Sequence, residues 1–162
     1  MKNLFYLLAV VIFLSGCAQD AKTSQQEHKL QYHGVSLGDS YHKVVQQYGK
    51  PESEDNKGET KLLAYRSQKG LSHTLILQNE KVIKSTFYME YLEGDNLPKT
   101  KEEVFKTYGT EYQMEVKACY ESATCENYVY TFGNEILTFL TSWDNQKIDV
   151  VTLQAKESNT VQ

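Results

Sequence analysis

The chain contains 162 residues, with 17 lysine and arginine residues against 21 aspartate and glutamate residues, and its formal net charge is −4 at pH 7. This length suits one domain, or two small units that share a core. Mild acidity without a cluster of lysine and arginine argues against a nucleic-acid partner, because binding nucleic acid requires a basic face.

Residues 1–16 are predicted to be a signal peptide. Lys2 precedes an uninterrupted apolar run from Leu4 to Leu14. As a helix this run is about 16 Å long, which is too short for a bilayer core of about 30 Å but typical of a secretory signal. The chemistry of the mature chain is therefore expected outside the cytoplasm.

The residues that lead to Cys17 resemble the lipobox of bacterial lipoproteins, in which the cysteine is acylated and becomes the first residue of the mature protein. They read Leu14-Ser15-Gly16-Cys17. The resemblance implies a membrane partner, held through lipid on Cys17, and stable anchoring takes more than one acyl chain. The alternative is an ordinary signal peptide that contains a cysteine. We expect a lipid-anchored envelope protein, on the periplasmic face of the outer membrane in a two-membrane host and on the outer face of the cell membrane otherwise.

Residues 17–31 are predicted to be a flexible tether, because Leu30 is their only large aliphatic side chain. Residues 156–162 are similarly polar and are predicted to be a disordered tail. The folded part is expected to comprise residues 32–94 and 95–155.

The segment from Gly34 to Gly38 is a formal match to the G-x-S-x-G motif of serine hydrolases, with Ser36 in the nucleophile position. That motif needs a buried strand before the serine, a helix directly after it, and an acid and a histidine further along. Here a polar tether precedes Ser36 and the next helix begins too late. We therefore expect no catalytic residue and no enzymatic activity, and we expect the glycines to form turns.

A helix is predicted directly after this segment. Asp39 or Ser40 can cap it, Gly49 can end it, and Pro51 prevents its continuation. Its apolar stripe has i, i+3, i+4 and i+7 spacing and consists of Tyr41, Val44, Val45 and Tyr48.

The same pattern recurs after a shift of 60 residues, where Thr100 and Glu103 form a capping box and Gly109 ends the second helix. Strands rich in β-branched and aromatic residues follow each helix. They are Leu62 to Arg66, Ser72 to Gln78 and Val82 to Met89, and then Gln113 to Cys119, Tyr128 to Phe132, Ile136 to Thr141 and Ile148 to Gln154. The predicted fold class is α+β, with two tandem helix-plus-antiparallel-meander repeats that share a sheet and have their helices on one face.

Cys119 and Cys125 form an even pair once Cys17 is modified. In an oxidising compartment we expect a disulfide that closes a short loop, inserted in the second repeat. Free thiols and metal ligands are the alternatives, although zinc takes four ligands and no histidine lies nearby in sequence. His33 and His42 could meet across the first turn without a third ligand, so no metal and no cofactor is expected.

The stretch from Gly34 to Pro51, GVSLGDSYHKVVQQYGKP, resembles the leading motif of the BamE-like (SmpA/OmlA) lipoproteins. Tandem copies of such a unit resemble the architecture of the β-lactamase inhibitory protein. The resemblance implies a non-catalytic module that binds an unidentified protein of the envelope.

Aromatic side chains are the first candidates for a contact with that protein, because they bury large areas with few rotatable bonds. Tyr128, Tyr130 and Phe132 share one strand face, and core packing is the expected role of Tyr130 and Phe132, with partner contact as the alternative. Trp143 lies beside a turn and is the better candidate for exposure. We expect the partner to bind on the open face of the sheet, on strands Tyr128 to Phe132 and Ile136 to Thr141, with the cysteine loop at their rim.

Two functions follow from these features. The first is a membrane-tethered scaffold or assembly module. The alternative is a tethered inhibitor of another envelope protein or enzyme, which would insert Tyr120 or Glu121 of the cysteine loop into a pocket.

Overall fold

The computed structural model describes residues 30–92, 97–120 and 123–156. The signal peptide, Cys17, Glu121, residues 17–29 of the predicted tether and residues 157–162 of the predicted tail lie outside these ranges. The described part contains two helices and ten strands. In chain order they are β1 (Gln31–Tyr32), β2 (Val35–Ser36), α1 (Tyr41–Tyr48), β3 (Ser53–Lys57), β4 (Thr60–Ser67), β5 (Gly70–Gln78), β6 (Lys81–Tyr88), α2 (Lys101–Tyr108), β7 (Gln113–Tyr120), β8 (Ala123–Phe132), β9 (Glu135–Thr141) and β10 (Ile148–Ala155).

Eight of the strands form one antiparallel sheet in the order β3-β4-β5-β6-β10-β9-β8-β7. Strands that are neighbours in the sheet are also consecutive in the chain and are joined by short turns. The exception is the central pair, where β6 lies beside β10. Phe87 faces Val151 across this central pair. β1 and β2 form a separate two-stranded ribbon.

The predicted α+β class is wrong, because the chain is mostly β. Each helix has only eight residues and contributes a single fully buried side chain, Val44 from α1 and Val104 from α2. The strands supply most of the remaining core. The interpretation as two α+β repeats with helices on one face is therefore replaced by a single eight-stranded antiparallel sheet with two short helices.

Residues directly opposite each other in neighbouring strands point to the same face. One such row crosses six strands and is fully or almost fully buried: Leu63, Leu75, Ser85, Leu153, Leu137 and Tyr130. This inner face packs with Val44 and Val104 in one hydrophobic core.

The predicted strands lie within observed ones, except that Met89 is one residue beyond the end of β6, but the sequence did not predict β1, β2 and β3. The five residues of β3 are polar or charged and all are exposed, so they carry no apolar pattern. The predicted cysteine loop is in fact the end of a β7–β8 hairpin, because strand pairing continues through Lys117 and Cys125 and through Ala118 and Thr124.

The predicted helix caps are confirmed. The Ser40 side chain accepts a hydrogen bond from the Lys43 N–H, at 3.2 Å. In the second helix the Thr100 hydroxyl accepts from the Glu103 N–H, and the Glu103 carboxylate accepts from the Thr100 N–H. Gly49 and Gly109 both have positive φ angles, and their N–H groups donate to the carbonyls of Val45 and Phe105 in the last turn of each helix.

The capping box of α2 gives a direct test. Thr100→Ala leaves the Glu103 N–H without its acceptor, and we expect the free energy of unfolding to fall by about 1 kcal/mol. Urea unfolding followed by circular dichroism measures this loss. Thr110→Ala, at an exposed position after the helix, is the matched control and should change stability by under about 0.5 kcal/mol. Equal stabilities of the two variants would contradict the role of the cap.

Candidate functional site

The outward face of the sheet is more exposed to solvent than the inward face, which packs on the core. On the four central strands the outward side chains from Thr74 onward along β5 and on β6, β9 and β10 are partly exposed, whereas most of the inward side chains between them are buried. We call this outward surface the open face. Its central residues are Thr74, Ile76, Lys84, Thr86, Tyr88, Ile136, Thr138, Leu140, Val150, Thr152 and Gln154.

Four threonines form one continuous row across the open face. Thr74 of β5 faces Thr86 of β6, which faces Thr152 of β10, which in turn faces Thr138 of β9. Adjacent strands are about 4.8 Å apart, so the row presents closely spaced hydroxyl and methyl groups. The row on one side is mixed and contains Ile76, Lys84, Gln154 and Ile136. The row on the other side contains Tyr88, Val150 and Leu140.

Lys84 is the one charged residue among these outward positions of the central strands. It lies between Ile76 and Gln154 in the pairing register and is half-buried. Within the described ranges it has no ion-pair partner. A partly desolvated ammonium on an apolar surface favours a carboxylate supplied from outside.

Tyr128 does not lie on the open face, although the sequence made it a candidate for partner binding. It is 3% exposed and its ring meets those of Phe105 and Tyr112, each with centroids 5.0 Å apart. Its hydroxyl donates to Glu126. The face shared by Tyr128 and Tyr130 is the inner one, and only Phe132, at the strand end, is exposed.

The strands chosen from sequence do contribute to the open face, through the residues between the predicted ones. Val129 faces Thr138, and Thr131 faces Ile136. On β8 the outward residues are therefore Val129 and Thr131, whereas Tyr128 and Tyr130 face the core.

Trp143 is 67% exposed, the most exposed of the large hydrophobic side chains in the described part of the chain. It lies in the β9–β10 turn. The Ser142 hydroxyl donates to Asp144, the Gln146 N–H donates to the same carboxylate at 3.1 Å, and the Asn145 N–H donates to the Ser142 carbonyl at 2.8 Å. A hydrogen-bonded turn thus presents the indole to solvent.

The predicted disulfide between Cys119 and Cys125 is present, with Cα atoms 5.8 Å apart. Cys125 is 1% exposed and anchors the hairpin end to the sheet. The backbone of Tyr120 pairs with Ala123. The Tyr120 side chain and Glu121, the predicted inhibitory residues, lie outside the described parts of the structure.

The hydrolase-like segment contains the short strand β2, with a turn on either side. Ser36 is 5% exposed, and its N–H donates to Asp39 Oδ2 at 2.9 Å. Asp39 also forms an ion pair with Lys43, at 3.1 Å. Gly34 and Gly38 have φ angles of 82° and 74°, which agree with the expectation that they form turns.

Histidines and acidic residues do not converge on a metal site in residues 30–92, 97–120 and 123–156, since no group of three potential ligands is found there. His33 contacts the rings of Tyr48, His73 and Phe87. Within the same ranges no helix has the length and apolar character needed to cross a membrane.

The sequence of the chain matches no known protein family and no curated protein. Solved structures share its fold. A DUF4309 family protein (YjgB) from Bacillus subtilis has a TM-score of 0.52 and 16% identity, over 79% of this chain and 88% of that one.

Two further solved structures match with similar scores. A cysteine-rich secretory protein (SAV1118) from Staphylococcus aureus has a TM-score of 0.52 and 9% identity, over 74% of this chain and 44% of that one. An extracellular protein containing an SCP domain from Bacillus anthracis has a TM-score of 0.53 and 7% identity, over 81% and 49%. This chain therefore spans less than half of each of these two proteins. At such identities the likeness shows the fold alone.

The sequence analysis missed the threonine row and Lys84. A signal for the threonines was available, because each stands between two inward-facing residues of its strand, as Thr138 does between Leu137 and Phe139. Their alignment into one row depends on the register of four strands and could not be obtained from any single segment.

Proposed function

We propose that this protein is a membrane-tethered, non-catalytic module that binds another protein of the cell envelope on its open face. The open face is the observation that carries the proposal, because a broad surface of aliphatic, threonine and tyrosine side chains with one charge is typical of a protein contact. Two structures with the same fold are described as secretory and extracellular proteins, which is consistent with an envelope or extracellular location. Anchoring through lipid on Cys17 is part of the proposal.

The composition of the open face defines the partner's chemistry. A flat, weakly charged protein surface fits the threonine row and the aliphatic side chains beside it. A carboxylate opposite Lys84 would supply the ion-pair partner that the described part of the chain lacks, and would set the orientation of the complex.

The test uses crosslinking in the native cell followed by mass spectrometry, which identifies neighbouring proteins. We expect Thr152→Arg, in the centre of the open face, to reduce recovery of the main crosslinked protein at least tenfold, because it places a second cation near Lys84. Thr124→Arg is the matched control, an exposed strand threonine that points to the opposite side of the sheet. Thr124→Arg should recover as much of the crosslinked protein as the unmodified chain does.

Lys84 provides the second half of the test. Lys84→Glu should abolish recovery of the same protein, whereas Lys84→Arg should keep it. All four variants should melt within a few degrees of the unmodified protein, since each position is partly exposed. Unchanged recovery with Thr152→Arg and Lys84→Glu would contradict binding on the open face.

Inhibition of another protein is a second candidate, favoured by the disulfide that fixes the β7–β8 hairpin end. In that case the double variant Tyr120→Ala, Glu121→Ala should lose the crosslinked protein while Thr152→Arg retains it. Loss with Thr152→Arg and retention with the double variant would instead support binding on the open face.

A further inference from the structure

The sheet has two edges that differ in length and in chemistry. The β3 edge has five residues, and Glu54, Asp55 and Lys57 give it the charged character that protects an edge strand from pairing with another chain. The β7 edge has eight residues, and Gln113 to Ala118 are all exposed. Among the described strands, none pairs with the main-chain groups on the free side of β7.

Large apolar side chains are exposed on β7. Met114 is 56% exposed and Val116 is 60% exposed, against none of comparable size on β3. Met114 faces Tyr128 and Val116 faces Glu126 in the pairing register, so both project on the inner side of the sheet, at the margin of the core.

The charges of β7 flank Val116 symmetrically. Glu115 and Lys117 lie on the outward side of the strand, where Lys117 Nζ is 3.1 Å from Glu115 Oε2. Both side chains are about half exposed. Val116 thus has a negative residue on one side and a positive residue on the other, and Met114 and Ala118 are the next residues outward.

We propose that two copies of this protein associate through their β7 strands, paired antiparallel about a two-fold axis at Val116. In this register Val116 faces its own counterpart, Met114 faces Ala118 of the other copy, and Glu115 faces Lys117. Opposite charges directly across a strand pair stabilise it, and like charges destabilise it.

The register follows from symmetry. A two-fold axis between antiparallel strands of one sheet is perpendicular to that sheet, so an inward residue must face an inward residue and the axis must pass through a residue position. An axis at Glu115 or at Lys117 would place two like charges opposite each other. An axis at Val116 places both charges against opposite charges and covers the exposed valine.

This assembly joins two eight-stranded sheets into one continuous sheet. Because the axis is perpendicular to the sheet, the two open faces lie on the same side and adjoin one another. The dimer is independent of the proposed function, since it uses the edge of the sheet and not the open face.

The experiment uses the full chain, expressed in bacteria as two differently tagged copies and extracted in mild detergent. Unmodified copies should purify together. Two Glu115→Lys copies should not purify together, because the introduced lysine would face Lys117 of the other copy at both pairs. Two Lys117→Glu copies should not purify together either, because the introduced glutamate would face Glu115. We expect at least a tenfold loss of co-purification in each case.

The decisive sample combines one Glu115→Lys copy with one Lys117→Glu copy. Every cross-strand pair in this mixture is again oppositely charged, so co-purification should return to the unmodified level. Asp55→Lys, an acidic-to-basic change on the β3 edge, is the matched control and should leave co-purification unchanged.

All of these positions are exposed, so melting temperatures should agree within a few degrees and show that folding is intact. Absence of co-purification between unmodified copies, or equal co-purification in all combinations, would overturn the proposal. The charge variants could instead still co-purify with each other but lose another envelope protein that co-purifies with the unmodified chain. That result would also overturn the proposal, because it would indicate that β7 pairs with a strand of the other protein.

Discussion

Acidification from pH 7 to pH 4.5 is expected to lower the free energy of unfolding by about 2 kcal/mol through His73 alone, and His73→Phe is expected to remove this component. His73 lies on β5 and is 5% exposed. Its ring is 4.4 Å from the Tyr48 ring and 4.5 Å from the Tyr65 ring, between centroids. Ser72 Oγ is 3.1 Å from Nδ1, whereas Nε2 has no hydrogen-bond partner in the structure.

The pKa of His73 is lowered to about 4, mainly because burial disfavours the charged ring and secondly because His33 lies nearby. Tyr48 on α1, Tyr65 on β4 and His33 before β2 are the titratable groups around it, and Phe87 on β6 adds an apolar wall. No carboxylate that could compensate a charged imidazole is among these contacts.

The direction of the pH effect follows from proton counts. Between pH 6.5, the ordinary pKa of histidine, and about 4, the unfolded chain binds a proton at His73 that the folded chain does not. Stability therefore falls as the pH decreases through this window, and no further loss arises from His73 below it. The pKa of His33 is lowered by burial too, which adds a smaller loss of the same sign.

The measurement is urea unfolding at several pH values, with the stability difference between His73→Phe and the unmodified protein taken at each pH. Phenylalanine suits the site, because Phe139 packs comparably against Tyr108 and Tyr130, with centroids 5.2 and 5.9 Å apart. The stability difference should change by about 2 kcal/mol in favour of the variant between pH 7 and pH 4.5. His42→Gln, at an exposed position of α1, is the control and should keep the unmodified profile. A constant difference for His73→Phe would contradict the assignment.

The sequence predicted strands well where β-branched, leucine and aromatic residues are concentrated between turn residues. β5 and β9 have this composition, which marks the strand but not its buried side. β3 lacks such a signal, because its residues pair with β4 only along the exposed edge of the sheet. Its position follows from the tertiary structure and not from its own composition.

The fold class was mispredicted because a helical stripe was taken as evidence for a helical layer. Tyr41, Val44, Val45 and Tyr48 do lie on one helix, but over only eight residues, and of these only Val44 is fully buried. Caps and a stop signal define where a helix begins and ends. They do not measure how much of the core it supplies, and here the sheet supplies most of it.

The orientation of the β8 side chains could not be predicted for a related reason. Period-two alternation shows that Tyr128 and Tyr130 share a side of β8, but not which side the core covers. Aromatic content made Tyr128 a candidate for partner binding, with core packing expected for Tyr130, and the structure buries both tyrosines against α2 and Tyr112. The open face is built instead from threonines and aliphatic residues, and their positions in a row depend on pairing across the whole sheet.

Phe87→Ala is expected to lower the free energy of unfolding by about 3 to 5 kcal/mol, the largest effect of any single substitution proposed for this protein. Phe87 is 0% exposed on β6, and faces His73 on one side and Val151 of β10 on the other. Its ring is 5.2 Å from the Tyr32 ring, between centroids, so it also supports the β1–β2 ribbon. Truncation to alanine leaves a cavity where the two halves of the sheet meet.

Domains of this size have total stabilities of about 5 to 15 kcal/mol, so the loss would remove a large share of the folding free energy. Phe132→Ala is the matched control, because Phe132 is 40% exposed at the end of β8 and leaves little cavity. We expect it to cost about 1 to 2 kcal/mol, and chemical denaturation of both variants measures the difference. Similar losses for the two variants would show that the β6–β10 pair is not the centre of one cooperative core. Separate unfolding transitions in Phe87→Ala would show that each half of the sheet has a core of its own.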